Sequence, residues 1–275
     1  MKTIAPNTSW IARPKPNPAA HLRLFTIPHA GGSVSMFYPW LNQLPVEIEL
    51  CPIQLPGREN RLWEEPFTDL LMVVQTLLPI LRSYLDLPFA FFGHSMGALI
   101  GFELARHLRR QYALEPIHLF VSGREPPQLP DLAPPIHRLP ESEFVDEIRH
   151  RYNGISDALL EAPELLRLLL PVLRADVTIV ETYRYIDDLP LNCSISAFGG
   201  LQDRQVRRIA LMTWQQQTQQ SFQLHMLPGD HFFLNNHSKP FLYILCQELN
   251  QLLKQLPTYT NFQSSQFSYT HRHYG

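Results

Sequence analysis

The sequence predicts an α/β protein whose mostly parallel sheet is covered by helices on both faces. Three observations carry this. Short apolar runs of strand length recur along the chain, with little polar alternation, as in strands buried on both sides. Segments with apolar residues at helical spacing separate them. The 275 residues are enough for one large domain with a substantial core.

Residues 1–20 are rich in Pro, Asn and Ala and form an irregular arm. A domain over residues 21–257 follows. Its first strand is Leu22 to Ile27, ending in Pro28-His29-Ala30-Gly31-Gly32-Ser33. Val46 to Ile53 alternates apolar and polar residues and predicts a second strand, closed by Leu55-Pro56-Gly57-Arg58. Thr68 to Leu85 predicts a helix in which Pro79 brings a kink or an early stop. Pro88 to Phe92 is the third strand, and Ile117 to Ser122 the fourth.

The rhythm then breaks. A Pro-rich connection, Glu125 to Pro140, leads into two helical segments, Glu141 to Arg151 and Glu161 to Tyr185, with no strand before Cys193. This helical insertion, about residues 126–190, predicts a cap over one edge of the sheet. Strands resume at Ser194 to Phe198 and Phe222 to Leu227, with helices at Val206 to Gln217 and Ser238 to Leu256. Residues 258–275 lack periodicity and predict a disordered tail. Its His271 and His273 have no third partner, so no metal site is expected.

Composition excludes several classes. A net charge of −2 leaves no electrostatic footprint for nucleic acid or an anionic membrane surface. No apolar run is long enough to span a bilayer, and the N-terminus lacks the apolar centre of a signal peptide. Three cysteines, Cys51, Cys193 and Cys246, suit packing in a reducing compartment, so a cytoplasmic protein is the expectation, with a monomer as the default.

Between the third strand and the helical pattern that begins at Ala98 lies Gly93-His94-Ser95-Met96-Gly97, a G-x-S-x-G sequence. Strand, sharp turn with serine at its apex, then helix is a nucleophile elbow, the hallmark of α/β-hydrolases. A serine hydroxyl needs a base, and the base a third group to hold its tautomer. In that superfamily the acid and then the histidine follow the serine, each in a loop after a late strand. Asp203 follows the fifth strand and His231 follows the sixth, so they fill the two slots. His225 lies inside a strand, His237 at a helix start, and His94 on the turn itself. Asp187 and Asp188 precede the strand, and Asp230 is too near His231 in sequence to orient its ring. The oxyanion donors are expected to be the backbone N–H groups of Met96, at the start of the elbow helix, and Ala30, in the Gly-Gly loop after the first strand.

Blocks beyond the elbow narrow the resemblance. PHAGGS (Pro28 to Ser33), LPGRENR (Leu55 to Arg61), FGHSMGA (Phe92 to Ala98) and SGREPP (Ser122 to Pro127) come first. LLLPVLRADVTIVETYRY (Leu168 to Tyr185) and GDHFFL (Gly229 to Leu234) follow. From about Leu22 to Leu253 the chain resembles the type II thioesterases of nonribosomal peptide and polyketide synthesis. The resemblance implies an α/β-hydrolase fold with a helical lid, and hydrolysis of acyl groups from the phosphopantetheine arm of carrier domains. Ser95 would be the nucleophile, Asp203 the acid and His231 the base, with no metal or cofactor beyond the partner's phosphopantetheine. Leu168, Leu169 and Val172 of the lid segment would line the acyl channel. Two departures stand out: Asp203 is followed by Arg204-Gln205 where the family often has proline, and Asp230 replaces the second glycine of Gly-Gly-His. The second would set a carboxylate beside the base and raise its basicity. A medium- or long-chain fatty acyl-carrier thioesterase, a general esterase and a catalytically silent synthetase-docking protein remain alternatives.

Overall fold

A computed structural model describes residues 10–130, 133–152, 154–155, 157–236 and 238–256. Six strands are described: β1 (Leu22–Ile27), β2 (Ile48–Pro52), β3 (Phe89–His94), β4 (His118–Ser122), β5 (Ser194–Gly200) and β6 (Phe222–Leu227). They form one sheet in the order β2-β1-β3-β4-β5-β6, every neighbouring pair parallel. Parallel neighbours need crossovers, and the helices supply them. They are α1 (Leu70–Arg82), α2 (Met96–Tyr112), α3 (Glu141–Tyr152), α4 (Asp157–Leu160), α5 (Pro163–Thr182), α6 (Arg208–Met212), α7 (Phe233–Asn236) and α8 (Ser238–Gln255).

Alternate residues of each strand feed two apolar layers. Phe25, Ile27 and Phe91 join Val73, Leu77, Leu99, Phe102 and Trp214 on the face covered by α1, α2 and the start of the 208–217 segment. Leu22, Leu24, Phe92, Phe120 and Phe198 join Phe37, Trp40, Phe241 and Leu245 under α8 and the 3-10 helix Val34–Asn42. The inserted segment has its own small core of Ile136, Phe144, Ile148, Leu170 and Val177. Among the described residues no helix is long and apolar enough to cross a membrane.

Several boundaries differ from the sequence reading. Strand β2 is shorter than Val46 to Ile53 and buried throughout, while Val46 is 82% exposed. Its apparent alternation came from Glu49, which is buried between Arg13 and Arg23 at 2.5 and 2.9 Å. Helix α1 does not stop at Pro79 but continues to Arg82, because Leu77, Leu78 and Leu81 are all packed in the core. Helix α5 starts at Pro163, whose missing N–H costs nothing in the first turn. The described part of the arm is tied down: Ile11 bridges Ile53 and is buried, and the Arg61 guanidinium lies 3.9 Å over the Trp10 ring. Cys51 and Cys193 are buried with free thiols, and Cys246 is half-buried. Residues 1–9 of the arm, the tail at 258–275 and His237 lie outside the described residues.

Candidate active site

The turn between β3 and α2 carries the strain that the sequence implied. Ser95 sits at φ 54°, ψ −113°, a region that costs a non-glycine residue about 1–3 kcal/mol. The glycines on either side are demanded by space. A Cβ on Gly93 would stand 2.1 Å from the Gly97 carbonyl oxygen, and one on Gly97 would stand 2.1 Å from that of Ile27. The elbow is thus pressed against the end of β1, whose following loop contains Ala30. The Ser95 N–H donates to the Ser122 carbonyl at 2.7 Å, fixing the turn to β4. Met96 opens α2, fully buried, with the positive end of the helix dipole behind its amide.

Asp203 and His231 come together from the ends of β5 and β6. His231 Nδ1 donates to Asp203 Oδ2 at 2.8 Å, and the Asp203 side chain has no solvent exposure. A carboxylate accepts only, so the imidazole proton sits on Nδ1 and Nε2 keeps its lone pair. The other oxygen, Oδ1, accepts from the amides of Gln205 and Val206 at 2.9 and 3.2 Å. Those two bonds hold the loop in which the family often has a proline. The Asp230 side chain bonds to the backbone. Its Oδ1 accepts from the Phe232 N–H at 2.9 Å, closing a local turn, and no hydrogen bond to the His231 ring is present among the described residues.

The other candidates have structural partners. His225 Nε2 meets Glu248 at 2.6 Å and its ring stacks on Phe198. His94 is fully buried, with Nδ1 3.0 Å from the Ser122 hydroxyl and its ring 5.2 Å from that of His231. Burial holds the His94 ring well below the ordinary histidine range, and the nearby His231 and His29 push the same way. Asp188 receives Arg109 and Arg110 at 3.0 and 2.7 Å, and Asp187 accepts from the Tyr185 hydroxyl.

Two cavities meet at Ser95 and His231. The first, about 150 Å³, runs under the inserted helices and is walled by Ile148, Leu166, Leu169, Leu170, Val172 and Leu173, with Ala30 beside the serine. The second, about 280 Å³, passes Gly123, Glu125, Arg204 and Arg207 and is more polar. Arg124 and Tyr152 border both. Leu169 and Val172 thus line this cavity, but Leu168 does not. It is 39% exposed and absent from the cavity wall. The helical repeat explains the difference: Leu166, Leu169, Leu170 and Leu173 share one face of α5, and Leu168 falls on another.

A model of the thioesterase domain matches residues 22–251. The chain belongs to the Thioesterase domain family. It is 45% identical over 256 residues to linear gramicidin dehydrogenase LgrE of Brevibacillus parabrevis, covering 92% of this chain and 97% of that one. It is 44% identical over 253 residues to the gramicidin S biosynthesis protein GrsT of Aneurinibacillus migulanus, covering 92% and 98%. Its fold superposes with a TM-score of 0.79 on the type II thioesterase BorB from the borrelidin biosynthetic cluster. That pair is 34% identical and covers 87% of this chain and 97% of BorB.

Within this thioesterase-family site, sequence reasoning missed His29, Tyr152, Phe232 and a buried ion pair. His29 packs edge-on against Phe232, and the rings of Tyr152 and His231 lie 5.2 Å apart. Desolvation lowers His29 to about 4, against the hydrogen bond to the Ala30 carbonyl, and the Arg58 charge acts with desolvation. At neutral pH His231 is therefore flanked by two neutral imidazoles. Arg58 and Asp176 pair at 2.8 Å, both buried. They are 118 residues apart and no local pattern links them. The only signal was that LPGR and RAD both belonged to blocks with no chemical role assigned.

Proposed function

We propose that this chain is an editing (type II) thioesterase, cleaving acyl thioesters from the phosphopantetheine arm of carrier domains. The observation that carries this reading is the placing of Ser95 and the His231–Asp203 pair where a mainly apolar cavity meets a more polar cleft. An acyl group fits the first. The second suits the amide-rich arm, with Arg204 and Arg207 on its wall. Residues 126–190 act in this reading as the lid. The name of the LgrE relative denotes a dehydrogenase, but no two glycines here stand two residues apart, so the G-x-G-x-x-G dinucleotide fingerprint is absent.

In the mechanism we infer, His231 Nε2 takes the Ser95 hydroxyl proton as Oγ attacks the thioester carbonyl carbon. The carbonyl electrons move to the oxygen, which accepts from the amides of Met96 and Ala30. Collapse breaks the C–S bond, and His231 returns its proton to the departing thiolate. Water then attacks the acyl-serine, giving up a proton to His231, which passes it back to Ser95 as the carboxylic acid leaves. The reaction needs no metal or cofactor of the protein's own. The partner is a carrier domain, and the setting is a cytoplasmic monomer.

The test compares acetyl- and long-chain-acyl-carrier domains with matching N-acetylcysteamine and coenzyme A thioesters. Faster release of short acyl groups from the carrier supports editing. Preference for long chains with no gain from the carrier replaces it with a fatty-acyl thioesterase. Failure of a fluorophosphonate to label Ser95 would leave only a docking protein.

A further inference from the structure

We infer that Asp176 is a positioning residue for the oxyanion loop, acting through Arg58 and the Gly31 amide, and that it ties the seating of helix α5 to that loop. Several backbone groups of the loop after β1 are held in place. The His29 carbonyl accepts from the Gly32 N–H at 2.9 Å. The Ala30 carbonyl accepts from the His29 ring Nδ1–H at 2.9 Å. The Gly31 N–H donates to Asp176 Oδ2 at 2.7 Å. The peptide between Ala30 and Gly31 is therefore held at both its oxygen and its nitrogen. The peptide before it is held by its oxygen alone. Its N–H, that of Ala30, meets no acceptor among the described residues, and Ala30 lines the same cavity as Ser95. An open amide next to a peptide fixed at both ends is what a developing oxyanion requires.

Asp176 is itself held. Its carboxylate receives the Arg58 fork at 2.9 and 2.8 Å, and Arg58 also donates to the carbonyls of Gly32 and Pro56 at 3.1 and 3.2 Å. Both side chains are at least 95% buried, so neither bond competes with bulk water. Gly31 has a φ of +75°, a left-handed conformation that glycine adopts without strain. Asp176 rides on α5, whose earlier turns supply Leu169, Leu170, Val172 and Leu173 to the wall of the acyl cavity. Leu173 also touches the loop directly: a Cβ on Gly31 would meet its Cδ1 at 3.1 Å. A change in how α5 sits therefore reaches the Gly31 amide through one carboxylate.

A buried pair could equally serve stability alone, and the test separates the two roles. Removing one partner strands a charge and lowers stability, whereas replacing both with apolar groups of similar size restores packing. The double variant Arg58→Met/Asp176→Leu is expected to have a higher Tm than either single variant. Its kcat on p-nitrophenyl butyrate is expected to stay at least about tenfold down, with KM within about threefold, since small misplacement of a catalytic group is costly. Its rate of fluorophosphonate labelling should fall in parallel. Arg58→Lys, which keeps the charge but loses the fork, is expected to show a smaller loss of kcat, and it keeps the inference testable if the double variant does not fold. A kcat within threefold of wild type in either folded variant, or a loss confined to KM, overturns the inference. The inference rests on the serine-hydrolase reading but not on the carrier partner. An ester substrate and a serine label report it even if the carrier-domain reading fails.

Discussion

His231 Nδ1 donates to Asp203 Oδ2 at 2.8 Å, while the same carboxylate's Oδ1 holds the amides of Gln205 and Val206. One side chain thus sets the imidazole tautomer and shapes its own loop. Asp203→Asn should separate the two jobs. The amide oxygen can keep the loop bonds, but its NH2 would face the ring and favour the wrong tautomer. Turnover is expected to fall by about a thousand- to ten-thousandfold. Stability is expected to fall by no more than about 1 kcal/mol. Rates and thermal melts on one preparation check both, and a tenfold or smaller loss of turnover would remove Asp203 from the reaction.

Leu169 faces the apolar cavity and Leu168 does not. Leu169→Ala should shift preference toward longer acyl chains, read as kcat/KM across a series of acyl thioesters. Leu168→Ala should leave the series unchanged and the Tm nearly so, because a 39% exposed leucine loses little packing. Equal effects of the two would dismiss the assignment of this cavity to the acyl group.

The elbow leaves no room for side chains beside the serine. Gly97→Ala would drive a Cβ to 2.1 Å from the Ile27 carbonyl oxygen, a rigid backbone atom. We expect a loss of about 3 kcal/mol or more, or failure to fold, measured by urea denaturation. A variant as stable as wild type would mean that the elbow and β1 are not packed as described.

Beneath the sheet's other face, His118 is buried and its ring is lowered to about 4 by desolvation, against a smaller opposing effect of Glu248. Its Nε2 donates to Ser196 Oγ, which donates to Glu248, and His225 closes the group from β6. The folded state resists protonating His118, whereas the unfolded chain takes the proton near 6.5. Its contribution to stability is complete above pH 6.5 and declines as pH falls toward 4, by up to about 1.4 kcal/mol per pH unit. His118→Gln keeps a donor for Ser196 and cannot titrate. Its stability should fall less steeply than wild type across that window, and superimposable pH profiles would refute the account.

The sequence by itself determined the architecture and most of the chemistry, because both were written in local patterns. Strands buried on both faces are short apolar runs, and β1 and β6 kept the boundaries those runs implied. The G-x-S-x-G turn announces itself through glycines that sterics require, and the acid and histidine are found by counting strand ends. Tertiary structure alone decided what depends on distance across the chain. Glu49 is an inward strand residue only because two arginines meet it there. Asp230 is tied to the backbone amide of Phe232. Leu168 and Leu169 are identical in composition and differ only in the face that α5 turns to the cavity. The link from Asp176 through Arg58 to Gly31 joins three segments far apart in sequence. Buried ion pairs and open amides leave no periodicity in a sequence, since their partners are chosen by the packing of elements that local propensity has already formed.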